Sequence, residues 1–107
     1  MASFRLLRRA RADLLDIANF TADRWGDQQA ERYVTQLYGA FHRIAGFPEL
    51  RRPYHDLPPY FRALEGKHAV FYRVADDGEV VIVRVLHGAM LPELHLEDAE
   101  DEPSNDV

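Results

Sequence analysis

Ala10, Leu14, Ile17, Ala18, Thr21 and Trp25 recur at intervals of three and four, which places them on one face of a helix. Asp13, Asp16, Asp23 and Arg24 fall off that stripe. Gly26 follows at once and supplies the left-handed position on which helices commonly end. Asp27 then stands where an N-cap belongs and opens a second stripe: Ala30, Tyr33, Val34, Leu37, Phe41, Ile44 and Ala45. It closes at Gly46-Phe47-Pro48. The pattern predicts two helices of roughly 15–19 residues joined by a turn of about two or three, an antiparallel helical hairpin. Trp25 and Tyr33 are expected in its core, stapling one helix to the other.

Beyond this point the period changes. Residues 46–59 contain Gly46, Pro48, Pro53, Pro58 and Pro59 and read as a loop. Tyr60 to Glu65, Gly66-Lys67 and His68 to Val74 read as strand, tight turn and strand. Asp76-Asp77-Gly78 signals a second hairpin, because Asp and Gly tolerate the positive φ such turns need. The β-branched run from Glu79 to His87 is almost continuously apolar, as a central strand covered on both faces would be. With a short opening strand within residues 3–9, the order is β-α-α-β-β-β. The fold class is α+β, a helical hairpin packed on a small antiparallel sheet, with one domain over residues 1–96.

Composition narrows the chemistry. The 107 residues include no cysteine, which excludes a disulfide framework, a thiolate zinc site and a cysteine nucleophile. No apolar run approaches the roughly 20 residues that span a bilayer. Arg5, Arg8 and Arg9 interrupt the N-terminus where a signal peptide needs apolar residues, so a cytoplasmic location is expected. The net charge of −5 is unevenly spread: residues 97–107 carry six acids and no base. Without them, 13 basic residues face 12 acidic ones, a net of +1. Twelve of the 13 bases are arginine, and Lys67 is the single lysine. The acidic pI of 5.4 thus belongs to a tail, predicted to be disordered, on an arginine-rich body.

Cleavage of RNA would need an acid–base pair beside the 2′-hydroxyl and cations to hold the developing charge. The candidates are His68, His87, Tyr72, Arg62, Arg73 and Arg84. A lone lysine and an acidic end, which repels phosphate backbones, argue against that chemistry. The five histidines, His42, His55, His68, His87 and His95, lack helical metal-ligand spacing, so neither a metal nor a cofactor is expected. Arg62, Arg73 and Arg84 fall one on each C-terminal strand. They read equally as a face that grips an acidic partner and as solvent-facing residues paired across the sheet.

Several short signals fall in order along this topology: Ala10-x-x-Asp13-Leu14-x-x-Ile17, Trp25-Gly26 with Gln29-Ala30-x-x-Tyr33, Tyr60-x-Arg62, Val70-Phe71-Tyr72-Arg73 and Val83-Arg84-Val85-Leu86-His87-Gly88. As an ordered set over residues 4–96 they resemble the ParE-type toxins of the RelE/ParE toxin–antitoxin superfamily. The resemblance implies a toxin that is not an enzyme, made with a small ParD-like antitoxin that neutralises it, and acting on DNA gyrase. RelE-type relatives instead cleave mRNA on the ribosome, which is the alternative. The target surface it suggests is the C-terminal strand end, Arg84, His87, Met90 and Leu91. The antitoxin surface it suggests comprises Leu37, Tyr38 and Phe41 on the second helix with Arg62 and Arg73 on the sheet. One position departs from the pattern: Leu91 stands where the family often carries an acid, which leaves room for a non-toxic relative that only binds.

Overall fold

The computed structural model describes residues 3–88, 90 and 92–96. The acidic tail and Leu91 lie outside the described residues, and so do the expectations placed on them. Strand β1 is Phe4–Leu6, helix α1 Arg8–Trp25, helix α2 Asp27–Gly46, and strands β2, β3 and β4 are Phe61–Glu65, His68–Val74 and Val80–His87. Single 3-10 turns occupy Pro48–Leu50 and Pro92–Leu94.

One residue, rather than two or three, separates the helices. Gly26 (φ 95°) donates its N–H to Ala22 O and accepts from Ala30 N–H, closing one helix and opening the next. Asp27 is accordingly the first residue of α2 and makes no side-chain cap. Only a residue without a Cβ adopts that φ at no cost. The Asp76-Asp77-Gly78 turn forms as its chemistry dictates: Gly78 takes φ 90°, and Asp77 Oδ1 accepts the Glu79 N–H at 2.9 Å.

The four strands lie in the order β1-β4-β3-β2. The hairpins make β2, β3 and β4 antiparallel, but β1 runs parallel to β4, from Phe4↔Val80 to Leu6↔Ile82. The sheet is therefore mixed rather than wholly antiparallel. Turn signals speak only for strands joined by turns; β1 is joined through the helices, and no local chemistry sets its direction.

Leu14, Ile17, Leu37, Phe41 and Ile44 pack on one face of the sheet against Val70, Tyr72, Val80 and Ile82. The other face is covered by the loop and the C-terminal segment: Tyr60 and Leu96 cluster with Leu7, Phe71, Val81 and Val83, flanked by Tyr54, Leu57 and Met90. Burial on both sides explains the unbroken apolar run of β4, buried from Val80 through Leu86. Among the described residues no helix is long and apolar enough to cross a membrane.

Trp25 departs from its expected place. It ends α1 with 69% of its surface exposed, while Tyr33 is part-buried and packs on the core. The helical stripe fixes the direction of a side chain, not whether anything lies beneath it.

Candidate functional site: a buried ion pair and the exposed faces around it

Where β1 ends at Leu6, the adjoining edge of β4 loses its strand neighbour. Asp13 on α1 takes that place. Its carboxylate accepts the Val85 backbone N–H at 2.9 Å and binds the Arg84 guanidinium twice, at 2.7 Å from Nε and 2.8 Å from Nη2. This two-pronged geometry is the strong form of the Arg–carboxylate bond. Both side chains are nearly withdrawn from solvent, and Arg84 Nη1 also reaches His95 O at 3.5 Å. A bulge prepares the site: Phe71 pairs with Arg84 and Tyr72 with Ile82, so Val83 is an extra residue in β4.

Arg84 was expected on a target-binding surface. At 8% exposure it is a structural cation, neutralised by Asp13 inside the fold. Asp13 itself falls off the helical stripe in the sequence. Its partner lies 71 positions away, so no local signal marks the pair.

The same register sets His68 opposite His87, with ring centroids 6.5 Å apart. Tyr33 reaches from α2 to meet them. Its oxygen accepts the Lys67 N–H at 3.1 Å and lies 2.6 Å from His68 Nδ1. The hydroxyl also reaches Glu65 O at 3.4 Å, and which partner donates in the short Tyr33–His68 bond follows the His68 tautomer. Burial lowers the His68 pKa below 6.5; the neighbouring His87 lowers it further, and Asp13 opposes both. Burial likewise raises the Tyr33 hydroxyl above its ordinary value, aided by Glu65 and opposed by the Lys67 N–H.

A sign follows for stability. Because the folded state holds His68 below its unfolded pKa, the unfolded chain takes up that proton first as the pH falls. The contribution of neutral His68 is complete above pH 6.5 and is lost as the pH drops through the depressed folded value. Urea midpoints measured between about pH 7 and 5 should fall in the wild type and fall less steeply in His68→Gln. Equal slopes would show that His68 titrates alike in both states.

The remaining expected site residues divide. Leu37 and Phe41 are fully buried in the core and present nothing to a partner in this structure. Tyr38 is part-exposed and packs edge-on against Phe41. Arg62 is exposed, with its guanidinium 4.8 Å from the Tyr54 ring centroid. Arg73 is half-buried, and its buried Nε meets no hydrogen-bond partner among the described residues. His87 is exposed at the end of β4, and Met90 packs against the second core.

As for RNA cleavage, the fold brings His68 and His87 together but withholds other members of the set. Tyr72 is buried, stacked on Phe61 at 5.3 Å, and Arg84 is bound by Asp13. Among the described residues no three His, Asp or Glu side chains gather to hold a metal.

The large apolar side chains left in solvent lie elsewhere. Phe20 and Trp25 (60% and 69% exposed) flank a groove of about 730 Å³ between the tip of the helical hairpin and the β2–β3 turn. Leu64 (70% exposed) stands on the outer strand β2, beside a smaller depression lined by Leu50, Arg52 and Arg62. Neither Phe20 nor Leu64 stood out in the sequence. Phe20 lies off the helical stripe, and only that position off the buried face hints at its exposure.

Comparison with known proteins gives these surfaces a context. The family model of the ParE toxin of the type II toxin–antitoxin system, parDE, matches residues 4–92. Toxin ParE1 of Caulobacter vibrioides is 42% identical over 97 residues, covering 90% of this chain and 99% of that protein. Toxin ParE1 of Mycobacterium tuberculosis is 43% identical over 82 residues, covering 76% and 84%. Among solved structures, a chain of the chromosomal ParDE system from P. aeruginosa has the same fold, with a TM-score of 0.72 at 19% identity over 81% of this chain and 96% of that one. A chain of the RelBE2 toxin–antitoxin complex from Mycobacterium tuberculosis superposes with a TM-score of 0.60 at 26% identity, covering 80% and 96%.

Proposed function

This chain belongs to the ParE toxin family of type II toxin–antitoxin systems, and from that premise we propose that it inhibits DNA gyrase by protein contact in the cytoplasm and is neutralised by a ParD-like antitoxin. The observation that carries a non-enzymatic reading is the Asp13–Arg84 pair. The arginine that a phosphate-cleaving site on β4 would need is bound at both prongs inside the fold, while large apolar side chains stand in solvent. Such a molecule is equipped for contact rather than for charge stabilisation.

With Arg84 withdrawn, the target surface in this proposal is the strand end at His87, Met90 and Leu91. The antitoxin surface keeps Tyr38, Arg62 and Arg73, and it loses Leu37 and Phe41 to the core. The exposed guanidinium of Arg62, held beside the Tyr54 ring, supports an acidic partner along β2.

The test uses purified, antitoxin-free chain in two assays. Inhibition of gyrase supercoiling, relieved by the antitoxin, is the expected result. Codon-specific cuts in mRNA on translating ribosomes would replace this reading with an interferase.

A further inference from the structure

We propose that the groove at the tip of the helical hairpin is the seat of an acidic, apolar-anchored segment of the antitoxin, an inference that rests on the toxin–antitoxin reading above. Its walls come from the end of α1, the start of α2 and the β2–β3 turn, and its principal side chains are Phe20, Arg24, Trp25, Tyr33, Lys67 and His68. The remaining lining residues are Thr21, Gln29, Gln36 and Gly66, so among the described residues two fixed cations and no carboxylate line the groove.

The cations are placed to be used. The Arg24 guanidinium lies 5.3 Å from the Phe20 ring centroid, which holds its plane over the aromatic face and leaves its N–H edge for a carboxylate. Trp25 continues into a second depression with Gln28, Gln29 and Arg32, extending the positive margin along α2. Arginine beside exposed tryptophan and phenylalanine matches the residue types that carry most binding energy at protein interfaces. Two large aromatics more than half exposed are also a liability for a free chain. Within the proposed system, the partner made alongside the toxin is the one available to cover them. The occupant is therefore a segment carrying Asp or Glu with an aliphatic or aromatic anchor.

Trp25 is the only tryptophan in the chain, so the groove reports on itself. The wild-type chain is titrated with a purified ParD-like antitoxin, with tryptophan emission read as the toxin's alone or by labelled difference. The expected result is a blue shift of Trp25 emission that saturates with binding. Arg24→Glu combined with Lys67→Glu should weaken binding by at least about tenfold, while Arg11→Glu, near the start of α1 and outside every surface assigned to a partner, serves as a charge reversal away from the groove and should leave binding unchanged. The substituted residues are exposed, and matching circular dichroism spectra confirm that the fold is kept.

A complex that forms at wild-type affinity with the double variant, or with unchanged Trp25 emission, overturns the assignment and leaves the toxin–antitoxin reading standing. A blue shift on concentrating the chain alone also overturns it, since the face would then take a second copy. No complex with the wild-type chain overturns the toxin–antitoxin reading itself, and the groove assignment with it.

Discussion

Asp13→Ala is expected to cost the domain about 3–5 kcal/mol of unfolding free energy, because it removes the carboxylate that binds Arg84 at both prongs in a site nearly closed to water. Small domains hold only about 5–15 kcal/mol in all, so the variant should be marginal at 37 °C. The cost has two parts. The guanidinium loses both of its short bonds to carboxylate, and the Val85 N–H loses its acceptor at a point where β1 has already ended.

Two further substitutions separate those parts in urea unfolding. Asp13→Asn keeps an oxygen for the Val85 N–H but carries no charge, so it should fall between alanine and wild type. Asp13→Leu with Arg84→Met removes both charges and should recover much of the loss, since apolar replacements of a buried pair are often neutral. If Asp13→Ala costs under about 1 kcal/mol, the pair is solvated like a surface bridge and does not hold the fold together.

This pair also shows how far the sequence could be read. The helices, both hairpins and the doubly covered β4 were legible because their signals are local: stripe periodicity, Gly26, and the Asp77-Gly78 turn. The direction of β1 and the partner of Asp13 depend on residues more than 70 positions away, where no periodicity reaches. The His68–His87 pairing illustrates a subtler loss. Counting back from the turn with no irregularity would set His68 opposite Leu86; the extra residue in β4 moves the register by one.

The candidate site was less legible than the fold for a related reason. Leu37 and Phe41 share the stripe of the residues that form the core, and an apolar stripe does not distinguish a face that packs on the chain's own sheet from one that awaits a partner. Trp25 shows the converse: on the stripe in sequence, it lies at the last residue of α1 and is left in solvent. Exposure is decided by where the neighbouring element ends. That is a property of the assembled structure, and among the described residues it leaves the two most exposed aromatics, Phe20 and Trp25, at the hairpin tip.

Gly66→Ala, although at an exposed position, should be the second most damaging change, at about 2–4 kcal/mol, from left-handed strain plus overpacking. Gly66 turns the chain from β2 to β3 with φ 58°, and a methyl added there would lie 2.5 Å from the Tyr33 hydroxyl oxygen and 2.7 Å from its ring. The Tyr33 side chain cannot yield cheaply. The same hydroxyl accepts the Lys67 N–H and meets His68 Nδ1, so moving Tyr33 breaks the contacts that tie α2 to the turn. Two variants apportion the effect. Tyr33→Ala alone loses those bonds, but adding Gly66→Ala to it should cost only the left-handed strain, about 1–2 kcal/mol. The coupling between the two positions, read as the difference in urea midpoints around the cycle, measures the steric share. Strict additivity would mean that Tyr33 does not constrain the turn. Because Gly66, Tyr33 and His68 also line the hairpin-tip groove, Gly66→Ala in a chain that still folds should weaken antitoxin binding as well. Wild-type affinity in a folded Gly66→Ala chain would separate the turn's role in stability from any role in docking.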